Sequence, residues 1–141
     1  MTTVRLVIFL FLCFLPILFP ERASTQTVDH ALYVTAYAGA DGLVIRALAT
    51  GGVDGLVAAG LGSGSSPPPY MAALKEVSDG GLPVVIATHT GSGRVMQTRR
   101  FTEDGYIVAD NLTPKKARIL LMLALTATKD KAEIQRMMLA Y

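Results

Sequence analysis

The residues best suited to chemistry in this sequence form a glycine- and serine-rich stretch at positions 60–65, directly after a short apolar run. Ser63, Ser65 and the backbone N–H groups of such a loop can donate hydrogen bonds to a small polar ligand. A dinucleotide fingerprint would need its third glycine at position 65 and a helix beginning within the motif. Serine stands at that position, and three prolines begin at Pro67. The stretch therefore predicts a loop for a small polar ligand and argues against a dinucleotide site.

A serine–histidine–aspartate set can also be assembled, from Ser92, His89 and Asp110. A chain of this size offers such a set by chance, and Ser92 lies outside any G-x-S-x-G elbow. The two histidines, His30 and His89, lack the H-x-x-x-H spacing of a metal site. We therefore expect both to be ordinary loop residues, and we expect no metal or other cofactor.

Alternating apolar runs and helical segments must position these loops. The predicted strands are residues 32–37, 55–59, 83–88 and 106–109, and the predicted helices are 42–49, 70–77, 115–127 and 130–140. The segment 95–105 is polar and has no clear pattern. The alternation predicts an α/β fold: a small three-layer domain with about four parallel strands and helices on both faces.

Helix starts and ligand loops follow from this pattern. Asp41, Thr113 and Asp130 are predicted helix caps, and Glu133 stands where it would complete a capping box with Asp130. Ligands of such folds bind beyond the carboxyl ends of the strands. Here those loops are residues 38–41, 60–69, 89–94 and 110–113.

Composition and charge exclude several classes of protein. Of the 141 residues, 51% are hydrophobic and 17% are charged, which is a globular composition. The formal net charge is only +2, and the basic residues are scattered apart from short pairs at 99–100 and 115–116. This pattern argues against nucleic-acid binding, because such proteins concentrate positive charge on one face.

The N-terminus is predicted to be a separate, hydrophobic leader. Residues 6–19 are a continuous apolar run, too short for a typical membrane span but suited to a signal-peptide core. Residues 1–24 are therefore predicted to be a signal peptide, residues 25–31 a linker and residues 32–141 the domain. Export, to the outside or to the periplasm, is the resulting expectation. The alternative is an uncleaved anchor that attaches the protein to a membrane through residues 6–19.

Several stretches in order resemble the bacterial type II L-asparaginases, over about four-fifths of the chain. The most specific is residues 112–126, and it continues through 128–130 and 133–135 to the terminal Tyr141. Three earlier stretches share the likeness: residues 37–42 (YAGADG), 55–65 (GLVAAGLGSGS) and 83–85 (PVV). The resemblance implies a four-stranded parallel sheet flanked by helices. It also implies the C-terminal half of a two-domain hydrolase that converts asparagine to aspartate and ammonia.

The family keeps its nucleophilic threonine in a T-G-G-T motif of the N-terminal domain, with an activating threonine, aspartate and lysine. The segment Thr50-Gly51-Gly52-Val53 lacks the second threonine and stands at a predicted helix end, so we reject it as a nucleophile. The resemblance implies that Ser65 reaches a neighbouring subunit's active site, where it hydrogen-bonds the polar head of the substrate. Some members add a glutamate further on, where Arg100 stands in this chain.

Three interpretations follow from the resemblance. The chain is an incomplete asparaginase, from a truncated gene or a gene sequence whose start was lost. Alternatively it is an exported binding or interaction module without hydrolase activity. A third possibility is a subunit that completes a full-length asparaginase in trans. We expect the chain to be inactive alone, and to form a homo-oligomer or to associate with an asparaginase N-terminal domain. Asparagine or a related small amide is then the substrate.

Overall fold

The computed structural model describes residues 30–141. The predicted leader, residues 1–24, and the linker up to residue 29 lie outside the described residues. Four parallel strands form one sheet in the spatial order β1-β2-β3-β4. The strands are β1 (Ala31–Thr35), β2 (Gly55–Gly60), β3 (Val84–Thr88) and β4 (Ile107–Val108). The helices are α1 (Leu43–Thr50), α2 (Pro68–Asp79), α3 (Arg99–Glu103), α4 (Pro114–Ala127) and α5 (Lys131–Ala140).

Helices cover both faces of the sheet, which confirms the predicted three-layer α/β fold. Consecutive parallel strands need crossovers of one hand, so α1 and α2 lie on the same face. They share a core with alternate strand residues such as Ala58 and Ile86. After β4 the chain crosses to the opposite face of the sheet. There α4 and α5 pack around Val57, Val85 and Leu121. Both central strands, β2 and β3, are buried throughout, as their continuous apolar runs predict.

The segment without a clear pattern, residues 95–105, contains the short helix α3. The hydroxyl oxygen of Thr98 accepts a hydrogen bond from the N–H of Phe101 (3.3 Å), and the Phe101 ring is buried. Five residues are too few to show a helical period, so this helix could not be read from apolar spacing. Other bounds shift by one or two residues. β1 ends at Thr35 rather than at position 37, and α2 begins at Pro68 because proline fits the first turn of a helix.

Of two predicted helix caps, Thr113 is confirmed and Asp41 is wrong. Thr113 caps α4 as expected, and its hydroxyl accepts from the N–H of Lys116. Asp41, however, is not the cap of α1. Gly42 occupies the cap position, and the Asp41 carboxylate accepts from the N–H of Leu43, two residues after Asp41 (3.1 Å). The carboxylate therefore still serves an N–H group of the first turn.

The predicted capping box at α5 is not formed. Asp130 does cap the helix, accepting from the N–H of Ala132 (3.0 Å). In a capping box Glu133 would accept from the N–H of Asp130, but the hydroxyl of Thr128 already does so (3.0 Å). Glu133 instead pairs with Arg136 one turn along the helix. None of the helices between residues 30 and 141 is long and apolar enough to cross a membrane.

Candidate functional site

The glycine- and serine-rich loop leaves the carboxyl end of β2 and closes tightly on itself. The N–H of Leu61 donates to the carbonyl of Ser65, and the N–H of Ser65 donates back to the carbonyl of Leu61, both at 2.8 Å. These two bonds fix the backbone on either side of the turn. Ser65 itself is exposed at the edge of the sheet. The loop thus presents Ser63 and Ser65 to solvent on a backbone fixed by these two bonds.

Glycine is required at two positions of this loop. Gly64 is buried and has φ +93°, and a Cβ there would lie 2.5 Å from Cγ2 of Ile86. A Cβ on Gly60 would lie 2.6 Å from the carbonyl carbon of Gly64. The loop therefore packs its backbone directly on strand β3, and any larger residue would lift Ser65 out of place.

A hollow of about 410 Å³ lies beside the loop; we call it the Ser65 hollow. Its lining combines serine, arginine and apolar residues. Its lining residues are Ser63, Gly64, Ser65, Ser66, Met71, Arg94, Met96, Thr98, Arg100 and Phe101. The hollow thus offers hydroxyl groups and two guanidinium groups, and none of its lining residues carries a carboxylate.

Arg94 is held by Asp110, which follows the end of β4. Its Nε lies 2.7 Å from one carboxylate oxygen, and its Nη2 hydrogen-bonds the other, which makes a bidentate pair. Asp110 has φ +53°, and its carbonyl accepts from the N–H of Val95 (2.9 Å). The hydrogen bond from Arg94 holds the pKa of the Asp110 carboxyl below its usual range, and the same bond raises the pKa of Arg94. The pair ties the loop after β3 to the end of β4.

A larger cavity, about 710 Å³, lies on the other side of Arg94. His89 and Ser92 both line it, together with Thr35, Thr88 and Lys115. Asp110 is not among its lining residues. The structure therefore brings two members of the serine–histidine–aspartate set to one cavity. The aspartate is engaged by Arg94 instead, so the set is not a catalytic triad.

The T-G-G-V segment is an ordinary helix end, as predicted. Thr50 is the last residue of α1, and its hydroxyl donates to the carbonyl of Arg46 one turn earlier (2.9 Å). Gly51 is the C-cap, and Gly52 has φ +80°. A threonine in this position is bound to its own helix and does not face a cavity described above.

Arg100 lies on α3 and contributes to the Ser65 hollow. Its side chain is 73% exposed, and its Nε is 3.9 Å from the nearest carboxylate oxygen of Asp104. The sequence pointed to Arg100 only through its place in the resemblance. The sequence placed Arg94 at the end of a predicted ligand loop, residues 89–94, but did not indicate its contact with Asp110 sixteen residues away. Between residues 30 and 141 no three His, Cys, Asp or Glu side chains group closely enough to hold a metal ion.

Comparisons with known proteins agree with this geometry. Residues 32–138 match the family model described as the glutaminase/asparaginase C-terminal domain. The glutaminase-asparaginase of Pseudomonas fluorescens biotype A is 36% identical over 108 residues, which are 74% of this chain and 30% of that protein. L-asparaginase 2 of Escherichia coli is 36% identical over 107 residues, 74% of this chain and 31% of that protein.

A solved structure shows the same likeness in three dimensions. The probable cytoplasmic L-asparaginase of Campylobacter jejuni superposes with a TM-score of 0.79 at 35% identity. The match covers 84% of this chain and 39% of that one. The chain therefore spans about a third of the length of the relatives it matches.

Proposed function

Because the chain belongs to the glutaminase/asparaginase family through its C-terminal domain, we propose that it forms the C-terminal half of an L-asparaginase. In this role it helps to bind asparagine in an active site whose nucleophile belongs to another domain. Relatives described as L-asparaginase or glutaminase-asparaginase support an amide substrate.

The observation that carries this proposal is the exposed Ser65 on a rigid loop at the carboxyl edge of a parallel sheet. Ligands of α/β folds bind at this edge. Two hydrogen bonds between Leu61 and Ser65 fix the backbone that carries this hydroxyl, which lowers the cost of positioning a substrate. Ser65 therefore hydrogen-bonds the polar head of asparagine in the active site of a neighbouring subunit.

The nucleophile must come from elsewhere, because the 141 residues contain no T-G-G-T motif. The one similar segment, at Thr50, ends helix α1 and binds its own backbone. The proposed enzyme is therefore an assembly of this domain with an asparaginase N-terminal domain, either on one chain or in trans. A homo-oligomer of such assemblies would place Ser65 across a subunit boundary.

The proposal is tested by reconstitution. The N-terminal half of Escherichia coli L-asparaginase 2 is mixed with this chain, and ammonia release from asparagine is followed. We expect activity in the mixture, and a decrease of about tenfold or more in kcat/KM for Ser65→Ala, since a hydrogen bond to a charged group contributes about 1.5–3 kcal/mol. Thr50→Ala is the control, since the Thr50 hydroxyl is bound to its own helix and Thr50 does not line the hollow. Equal activity of the Ser65→Ala and unmodified mixtures would remove Ser65 from the site.

A second candidate function is an exported interaction module without hydrolase activity. It is favoured by an apolar surface on α4, which we call the α4 outer face. This surface comprises Leu112, Lys115, Lys116, Ile119, Leu120, Leu123 and Tyr141. Ile119, Leu123 and Tyr141 are 53%, 62% and 80% exposed. Exposed apolar groups collected on one face usually mark an interface. Ammonia release in the reconstituted mixture separates the two candidates, because a pure interaction module releases none.

Export is part of the proposal and is supported by the apolar run at residues 6–19. The names of the relatives include both periplasmic and cytoplasmic proteins. The relative from Haemophilus influenzae is called periplasmic, and the protein of the Campylobacter jejuni structure is called cytoplasmic. Fractionation of cells that express the full chain, with an N-terminal sequence of the recovered protein, distinguishes a cleaved leader from a membrane anchor.

A further inference from the structure

We infer that the Ser65 hollow selects an anionic group of its ligand and that Arg100 sets this preference. The ligand class is a small carboxylate whose negative end lies toward Ser65. The inference rests on the proposed function only in placing the substrate beside Ser65.

The charges that line the hollow are all positive. Arg94 and Arg100 both line it, and none of the ten lining residues carries a carboxylate. Arg94 is already neutralised, because Asp110 binds it through two hydrogen bonds and the Asp110 side chain is only 13% exposed. The charge that a ligand would meet in the hollow is therefore that of Arg100.

The guanidinium of Arg100 is loosely paired, as a comparison with its neighbour shows. Both arginines face a carboxylate four residues along the chain. The Nε of Arg99 lies 2.7 Å from an oxygen of Glu103, within hydrogen-bond distance. The Nε of Arg100 lies 3.9 Å from the nearest oxygen of Asp104, which is beyond it. Arg100 can thus turn its N–H donors to a ligand without breaking a hydrogen bond to Asp104.

The chemistry of these groups favours a carboxylate. A guanidinium donates two parallel hydrogen bonds to a carboxylate, and the hydroxyls of Ser63 and Ser65, which line the same hollow, are further donors. An ammonium group in the same hollow would meet a like charge without a compensating acid. The hollow is therefore suited to the carboxylate end of its ligand.

The test is a titration of the full 141-residue chain with succinate at constant ionic strength. Binding is followed by the NMR signals of the Gly64 and Ser65 backbone amides. We expect saturable shifts with succinate and none with 1,4-diaminobutane. Arg100→Gln should weaken succinate binding by about three- to tenfold, in line with the loss of one exposed charge-assisted hydrogen bond. Arg99→Gln is the matched control on the same helix and should leave the affinity unchanged.

A charge-reversed variant sharpens the result. Arg100→Glu should abolish the succinate shifts and allow 1,4-diaminobutane to produce them. The inference is overturned if succinate causes no saturable shifts, if Arg99→Gln and Arg100→Gln weaken binding equally, or if the diamine binds the unmodified chain as well as succinate does. The titration needs no N-terminal domain. A failure to reconstitute hydrolysis would therefore count against the proposed function and leave this inference standing.

Discussion

At the scale of single residues, presentation of Ser65 depends on the backbone of Gly64. This glycine adopts φ +93° and packs against Ile86 on strand β3. Gly62, two residues earlier in the same turn, also has positive φ (+53°), but a Cβ there would meet nothing within 4 Å. Alanine variants at the two positions therefore separate the free-energy cost of the backbone conformation from the cost of a clash with Ile86.

We predict that Gly64→Ala lowers the free energy of unfolding by about 2–4 kcal/mol, because it adds a steric clash to an unfavourable backbone conformation. Gly62→Ala should lower the free energy of unfolding by about 1–2 kcal/mol, because alanine there meets only the cost of the left-handed backbone conformation. Urea denaturation of both variants measures the difference. Similar losses for the two would mean that the loop does not rest on Ile86.

The Asp110 carboxyl leads to a second prediction, on how the stability of the protein changes at low pH. Its pKa is lowered, chiefly by the hydrogen bond from Arg94, so its contribution to stability is present above the unfolded pKa of about 3.9. That contribution is lost as the pH falls through the still lower pKa of the folded state. Asp110→Asn keeps a side chain that tolerates positive φ but removes the charge.

We expect Asp110→Asn to be less stable than the unmodified chain at pH 7, and this difference to shrink as the pH falls below about 4. Thermal unfolding at several pH values measures it. Arg94→Gln should show the same convergence, and the double variant should be little worse than either single one. A difference that is constant from pH 7 to pH 2 would contradict the assigned pair.

At the scale of elements, a side chain pairs with the backbone of β4, the last strand of the sheet. Gln135 on α5 accepts from the N–H of Val108 (2.8 Å) and donates to the carbonyl of Val108 (3.2 Å). Val108 is fully buried, so water cannot replace these bonds. The amide of Gln135 thus takes the place of a fifth strand and protects the edge from pairing with another chain.

Gln135→Ala should therefore lower the free energy of unfolding by about 1–3 kcal/mol, the cost of leaving buried backbone groups unpaired. Hydrogen exchange at the Val108 amide should accelerate at the same time. The control is Thr126→Ala, since the exposed Thr126 hydroxyl donates to the carbonyl of Leu123 on its own helix. Unchanged exchange at Val108 would show that the edge is protected in another way.

The elements also show what the sequence could predict. The strands β2 and β3 and the helix α4 were predictable, because long apolar runs and the Thr113-Pro114 start signal are local. Helix α3 was missed, since its only apolar anchor is Phe101. The Ser65 loop was recognised from its glycines and serines. The Arg94–Asp110 pair and the place of Arg100 beside Ser65 were not, because both depend on segments that meet only in the folded sheet.

At the scale of the whole molecule, the α4 outer face predicts self-association. We expect residues 25–141, expressed without the apolar run at 6–19, to elute from a sizing column as a dimer or larger. The physical reason is the exposure of Ile119, Leu123 and Tyr141 on one surface. Ile119→Lys combined with Leu123→Lys should give a monomer with unchanged circular dichroism. Lys substitution of the exposed Met96, which lies on another surface, is the control. If the unmodified domain is a monomer, the result would favour a module that is adapted to exist without an asparaginase N-terminal domain.

The central claim is that this domain contributes to asparagine hydrolysis but carries no nucleophile of its own. The most direct measurement is ammonia release from asparagine, and from glutamine, by the purified chain alone. We predict none above the protein-free rate for either substrate, because the sequence has no T-G-G-T motif and the Ser92, His89 and Asp110 set is not assembled. Sustained hydrolysis by the chain alone, lost on substitution of a residue within 32–141, would contradict the account.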